Sequence, residues 1–343
     1  MHQPEIKPKM PKVSIITVNY NGKRFIIDCL KALERQSFND YEILIIDNAS
    51  SDNSLDEIER FLKASQLSSS VKLIPLNTNV GFAGGCLEGL IHAHGEYIAL
   101  LNNDTEADQK WLEELVMAMD SDSKVGICAS KILVYGGNII DSAGDGFSTS
   151  LKGFKRGEGE GVHLFNKREY IFGACAGAAL YRRKMIDEIG FFDEDFFLIH
   201  EDTDLNFRAQ LNGWKVLYVP TAIVYHKVRS SIGHMSDTAI YYTLRNSELV
   251  RIKNVSFSLF LRFLPEFKLG MLSEFIYFAL KHGHPVLYFK AKIDAMRLLP
   301  VMLKKRSIIM KAKRVSSEGL REIMTPILEH SFLKNKLWKF IFE

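Results

Sequence analysis

Three acidic residues, Glu201, Asp202 and Asp204, stand where an aromatic run gives way to a helical pattern, and a lone histidine, His226, follows 24 residues after Asp202 beyond an apolar run. Carboxylates and imidazoles are the side chains that accept protons near neutral pH and hold divalent cations. Taken alone, acids at a helix start are ordinary N-caps, and a histidine ending a strand can serve packing. Their meaning depends on what else reaches the same edge of the fold.

Residues 13–20, Val-Ser-Ile-Ile-Thr-Val-Asn-Tyr, form a short β-branched run that stops at Asn21-Gly22, the pattern of a buried parallel strand ending in a turn. Similar apolar runs at 42–46, 71–76 and 97–101 each end in a polar loop: Asp47-Asn48 with Asp52, Asn77 through Gly85, and Asn102-Asn103-Asp104 with Glu106. A helical pattern follows each of the first three loops. Strand, polar loop and helix recurring about every 30 residues predict a doubly wound α/β sheet, whose ligands sit outside the carboxyl ends of the strands. One such loop could simply cap a helix. Four at one sheet edge offer amides and carboxylates suited to a nucleoside diphosphate and its cation. The Gly81–Gly85 segment is not G-x-G-x-x-G, so a dinucleotide fold is not implied. A strand is expected at 125–134. The eight glycines of 136–161 lie among alternating charges and read as a hairpin-like excursion near the site mouth, its charges solvated. Small residues at 172–180 permit close backbone approach.

At 343 residues with 47% hydrophobic and 25% charged content, the chain has the makings of a real core. The four cysteines lie far apart without a C-x-x-C pair, which argues against zinc or a disulfide framework and suits a reducing cytosol. No apolar leader stands at the N-terminus, so a cleaved signal is not expected, and no run is long enough to span a bilayer. The net charge of +3 conceals an asymmetry. Residues 245–343 carry 19 Lys+Arg against 8 Asp+Glu, a balance of +11, and residues 1–244 a balance of −8.

The ordered motifs Val18-Asn-Tyr-Asn21, Asp47-Asn-Ala-Ser-Ser-Asp52, Asn79-Val-Gly-Phe-Ala-Gly-Gly85, Asn102-Asn-Asp104, Glu201-Asp-Thr-Asp204 and Gly213-Trp214, closing at His226, resemble inverting family 2 glycosyltransferases of the GT-A fold. The likeness covers about residues 13–250 and is nearest to rhamnosyltransferase-like and galactofuranosyltransferase-like enzymes of bacterial surface polysaccharide synthesis. It implies a mostly parallel GT-A sheet at 13–243 after a short N-terminal tail (1–12), and a basic, mostly helical C-terminal region at 244–343. It further implies transfer of a sugar, rhamnose among the candidates, from a dTDP- or UDP-sugar to a glycan or polyprenyl-linked acceptor. By resemblance Asp202 is the base, flanked by Glu201 and Asp204; Asp104 and His226 hold Mg²⁺ or Mn²⁺, with Glu106 a weaker ligand. An imidazole ligand favours tolerance of Mn²⁺. Thr17, Asn19, Tyr20, Asp47, Asn48, Asn79, Gly81, Phe82, Ala83, Asn102 and Asn103 match the nucleotide-sugar edge. Gly177, Ala178, His200 and Arg245 match the acceptor and donor pocket, and Arg229 and His234 are placed to close over the diphosphate. Two departures stand out: Asn-Asn-Asp replaces the usual Asp-x-Asp, and Ile-His200 replaces an aromatic pair before the acids.

From Tyr241 onward the pattern is helical, with Phe257, Phe260, Phe263, Phe267, Phe275 and Phe289 among lysines and arginines. That mixture suits an anionic membrane surface or a helical bundle packed on the catalytic part with its lysines in water. No nucleic-acid motif accompanies the charge, and the oligomeric state is left open. The expected enzyme is thus cytoplasmic, on the inner face of the membrane if the tail docks there. The rivals are a sugar-nucleotidyltransferase, which would want a Gly-rich basic loop after the first strand, and a non-catalytic nucleotide-sugar- or glycan-binding protein, against which the joint presence of Asp104, Asp202 and His226 speaks.

Overall fold

The computed structural model describes residues 10–227 and 236–327. Arg229 and His234 lie outside the described residues.

Four β-branched strands form the parallel half of the sheet: β1 (Val13–Asn19), β2 (Tyr41–Asp47), β3 (Val71–Pro75) and β4 (Tyr97–Leu101). Helices α1 (Ile26–Glu34), α2 (Ser54–Ala64) and α3 (Gly81–His92) connect them. Along β1 every residue is buried, and successive side chains serve opposite faces: Val13 and Ile15 pack with α1, Ile16 and Val18 with α3. A strand covered on both sides needs no polar alternation, which is why these runs are continuously apolar.

The rest of the sheet is mixed. The short β5 (Thr105–Ala107) precedes α4 (Trp111–Ser121), and β6 (Val125–Val134) occupies the span expected from sequence. The glycine-rich excursion supplies β7 (Ile140–Ser142), β8 (Asp145–Phe147) and β9 (Gly153–Lys155). Then come β10 (Glu169–Ile171), β11 (Ala178–Arg182), α5 (Arg183–Ile189), α6 (Glu201–Leu211) and the long β12 (Lys215–His226). Ten strands make one sheet in the order β10-β12-β6-β11-β4-β1-β2-β3, with β5 paired to β12 and β7 to β6. The doubly wound, mostly parallel α/β reading therefore holds, with β11 inserted antiparallel between β4 and β6.

The C-terminal helices are α7 (Asp237–Asn254), α8 (Phe257–Arg262), α9 (Leu264–Phe275), α10 (Pro285–Arg297), α11 (Leu299–Ala312) and α12 (Ser317–Glu322), with one π-turn (Ile276–Lys281) after α9. They are not an appendage. Leu249, Val250, Leu259, Phe263, Ala295 and Met302 share a core with Phe147, Phe172, Phe196 and Phe207. The expected division at 243/244 falls inside α7, which runs unbroken across it. Among the described residues no helix is long and apolar enough to cross a membrane.

Candidate functional site

Parallel register sets the strand-end edge. β1 and β2 place Asn19 beside Asp47, and the Asn19 amide donates to Asp47 Oδ1 and Ser54 Oγ, each at 2.9 Å. Asn103 Nδ2 donates to Asn19 Oδ1 at 2.9 Å. A Cβ on Gly22 would stand 2.1 Å from Asn103 Nδ2, so only glycine lets the backbone cross here. Asp47 is further held by the Ser50 hydroxyl at 2.6 Å and the Ser50 amide at 3.1 Å. Thr17 is buried with no partner for its Oγ1 among the described residues, and Tyr20 is exposed at the rim. Asn48 and Asn79 are spent on their own loop: Asn48 donates to Asn79 Oδ1 and the Gly81 carbonyl and accepts from the Val80 amide. Gly81 sits at φ +76°, Ala83 donates its amide to the Phe197 carbonyl at 3.0 Å, and Phe82 packs toward Phe192.

A second edge arises from strand pairing between distant segments. β5 runs antiparallel to the end of β12, aligning Thr105 with His226, so the neighbouring Asp104 faces the imidazole. Asp104 Oδ1 lies 3.3 Å from His226 Nε2, and Asp141 Oδ2 lies 2.9 Å from His226 Nδ1. Burial opposes a charge on His226, but the hydrogen bonds to Asp104 and Asp141 outweigh it and lift the imidazole to about 9. Asp141 is also paired with Lys155 at 2.9 Å. Burial alone would push Asp141 up; His226 and Lys155 hold it well below the usual carboxylate range. Two neighbouring ligands of a six-coordinate cation with bonds of about 2.1 Å stand about 3 Å apart, so the Asp104–His226 spacing fits a shared cation. Asp141, bonded to the far nitrogen of the ring, would fix its orientation toward such a cation. Among the described residues no group of three or more His, Cys, Asp or Glu could hold a metal, so a cation here would take its other ligands from substrate and water. Glu106 is instead paired with Lys227 at 2.9 Å.

The acidic element is the first turn of α6. Asp202 Oδ1 accepts from the Thr203 amide at 2.6 Å, and Oδ2 from the Ala176 amide at 3.2 Å. Burial raises its pKa, and those hydrogen bonds and Lys155 oppose the rise. Glu201 has an oxygen with no partner among the described residues. Burial and then the neighbouring Asp202 push it well above the usual range, so the pair resists carrying two charges at once. Ala176 and Gly177 join the two edges, since the Gly177 carbonyl accepts the Asn102 amide at 2.9 Å. Ala178, next along, pairs with Leu101 in the sheet.

Three sequence expectations need correction. Asp204 is fully buried and cannot meet a substrate. Its oxygens accept from Arg208 and Lys253, each at 2.9 Å, and from Asn254 at 2.8 Å. Arg245 is engaged within the protein; it stacks on Tyr242 and donates to the Asp195 and Phe196 carbonyls. The excursion's charges are not all solvated: Glu158 is exposed, but Asp141 is buried against His226 and Lys155 reaches it. Asp145 likewise carries a buried oxygen with no partner among the described residues. His200 bonds Thr203 Oγ1 at 3.2 Å, and burial, then Lys152 and Arg251, push it down to about 3. It belongs to the polar layer between excursion and tail. Asp141, Lys155 and Asp145 had no local signal in the sequence, because a partner many residues away decides their burial. Two surface depressions, one beside Trp214 and one beside Phe191 and Lys305, include none of the strand-end residues.

A strand-end edge of Asn and Asp, a carboxylate–histidine pair and an acidic pair at the start of the helix beside this sheet describe a GT-A-like α/β protein. Residues 14–190 match Glycosyl transferase family 2, and the chain belongs to that family. An uncharacterised glycosyltransferase of Nostoc sp. is 27% identical over 66% of this chain and 67% of its own length. Amylovoran biosynthesis glycosyltransferase AmsB of Erwinia amylovora is 26% identical over 67% of this chain and 75% of its own. The match to an uncharacterised Haemophilus influenzae glycosyltransferase spans only 35% of that protein. In structure, S. aureus TarS 1–349 in complex with UDP-GlcNAc superposes with a TM-score of 0.56 at 17% identity, over 91% of this chain and 92% of that one. GalNAc-T7 with UDP, GalNAc and Mn²⁺ gives 0.56 at 17% over 81% and 59%. These likenesses establish the fold.

Proposed function

We propose that this chain transfers a sugar from a UDP- or dTDP-sugar to a glycan or polyprenyl-linked acceptor in surface polysaccharide synthesis, with inversion at the anomeric carbon. One observation carries the reading: the 176–177 backbone bonds Asp202 on one side and the Asn102-Asn103-Asp104 turn on the other. Candidate base and candidate diphosphate edge are therefore a peptide unit apart. The acceptor oxygen bonds to the anomeric carbon as the bond to the diphosphate oxygen breaks, and its proton passes to the Asp202 carboxylate. The raised affinity of Asp202 for a proton suits that role. Asn19, Asp47 and Asn103 form the rigid edge against which the nucleoside lies, and Gly22 leaves room for the Asn103–Asn19 bond. Asp104 and His226 would hold Mg²⁺ or Mn²⁺, which supplies Lewis-acid stabilisation of the leaving diphosphate. The complexes of TarS with UDP-GlcNAc and of GalNAc-T7 with UDP, GalNAc and Mn²⁺ support a nucleotide-sugar donor and a cation. AmsB, named for amylovoran biosynthesis, supports a polysaccharide product. Rhamnose stays within the donor class and has no observation of its own.

A membrane-borne acceptor is supported by the tail. Across α9–α11, ten large apolar side chains are exposed, among them Val286, Phe289, Ile293 and Met296 at helical spacing. The exposed charged residues over the same span are all basic: Lys268, Lys281, Lys290, Arg297, Lys304 and Lys311. Such a face fits the anionic inner surface of the cytoplasmic membrane.

The test is a panel of UDP-, dTDP- and GDP-sugars with Mn²⁺, Mg²⁺ or chelator, following release of nucleoside diphosphate. Diphosphate release from one donor class, lost on chelation, is expected. Pyrophosphate release would instead mark a nucleotidyltransferase, and no turnover with any donor would sink the reading.

A further inference from the structure

Immediately before the acidic pair, three non-glycine residues have positive φ: Phe197 at 63°, the centre of a γ-turn closed by the Leu198 amide on the Phe196 carbonyl, Ile199 at 65° and His200 at 71°. Each such residue costs on the order of 1 kcal/mol or more, so a four-residue stretch holding three of them needs an external restraint. The restraint comes from the tail. Asn246 on α7 is wholly buried, and the two N–H groups of its amide are shared among the carbonyls of Phe196 at 2.8 Å, Leu198 at 2.7 Å and Ile199 at 2.6 Å. Its Oδ1 accepts from Arg245 Nε at 2.8 Å, which fixes which way the amide faces. The same stretch reaches the nucleotide side: Phe197 offers its carbonyl to the Ala83 amide, and a Cβ on Gly81 would stand 2.3 Å from that oxygen.

We propose that Asn246 is a positioning residue for the transfer reaction. It locks the 196–200 strap in its positive-φ form, so that Asp202 at one end and the 79–83 loop at the other keep a fixed spacing. The inference rests on the glycosyl-transfer reading above. Asn246→Ala takes this donor from the Leu198 and Ile199 carbonyls, while the Phe196 carbonyl keeps the Leu198 amide and Arg245, and Asn246→Asp sets a carboxylate oxygen against them.

Three measurements on the full chain test it. First, both variants should lower kcat by about 100-fold while donor affinity, read by equilibrium binding of UDP, shifts by less than about 3-fold. Leu249→Ala, equally buried on the same helix, should show a comparable fall in Tm and a kcat within about 2-fold of wild type. Second, Ile199→Gly in the Asn246→Ala background should restore kcat by about 10-fold, because glycine adopts the left-handed conformation freely. Third, amide exchange over 197–204 should rise by about 10-fold in Asn246→Ala relative to Leu249→Ala at matched Tm. That readout needs no turnover, so it judges the strap even if the transfer reading fails, and failure of transfer is itself read from Asp202→Asn. A wild-type kcat in Asn246→Ala, an equal kcat loss in Leu249→Ala, or unchanged exchange would each overturn the proposal. Should the Asn246 variants not fold, Arg245→Lys keeps the charge and loses the Nε–H that orients the amide. A kcat loss of about 5-fold supports the proposal there, and wild-type kcat overturns it.

Discussion

Asp202 and Asp204 stand two positions apart on α6 and point in opposite directions, since two residues of a helix are separated by about 200° around its axis. Asp202 faces the 176–177 backbone and keeps lone pairs for a substrate hydroxyl, whereas Asp204 is consumed by Arg208, Lys253 and Asn254. Asp202→Asn should therefore cut transfer by at least about 100-fold with little change in Tm, and transfer at wild-type rate would remove Asp202 as the base. The reaction also has a pH signature. Burial raises the Asp202 pKa, and a base acts only when deprotonated, so kcat/KM should fall toward acid from a pH above the ordinary carboxylate value of about 4. A profile flat down to that value would contradict the assignment. Helix phase alone could have separated these two acids in the sequence; treating the acidic run as one group lost that distinction.

The helix behind the site, α7, works through polar residues two turns apart. Arg245 and Asn246 hold the 195–199 backbone, and Lys253 and Asn254 hold Asp204 of α6. Burial would raise the Asp204 pKa, but Lys253 and Arg208 outweigh it and bring it down to about 2. A carboxyl depressed in the folded state stabilises the fold above its unfolded value near 4, and that contribution disappears as pH falls through about 2. Asp204→Asn should cost about 3 kcal/mol in urea unfolding at pH 7, with the gap narrowing as pH drops below 4; a gap that widens there would refute the sign. At the other end of the strap, Gly81→Ala meets both a positive φ and the Phe197 carbonyl. It should lose about 1–3 kcal/mol and weaken donor binding, and unchanged stability and donor affinity would contradict the close approach. The strands and connecting helices were legible because a doubly covered sheet leaves continuous apolar runs. The excursion was not, because glycines and charges report turn chemistry, and Asp141 becomes a site residue only when β7 pairs with β6 beside His226.

The charge asymmetry was readable from composition, but which side of the tail faces outward was not. The structure divides it: one side packs on Phe147, Phe196 and Phe207, and the other exposes apolar side chains flanked by lysines. Vesicles containing phosphatidylglycerol should bind the chain, and phosphatidylcholine vesicles should not, with binding weakening as salt rises. A surface charge contributes about 1 kcal/mol near an anionic leaflet, so Lys290→Gln with Lys304→Gln should weaken binding by about 30-fold. Equal partition onto neutral vesicles, or no effect of the double substitution, would remove the membrane from the picture.

The strap held by Asn246 has a consequence for synthesis. The chain is made from its N-terminus, so the strands, the nucleotide edge and the acidic turn all leave the ribosome before the asparagine that orders the last of them. A nascent chain ending at β12 would own every residue of the proposed chemistry and still lack the Asn246 bonds that hold the strap before them.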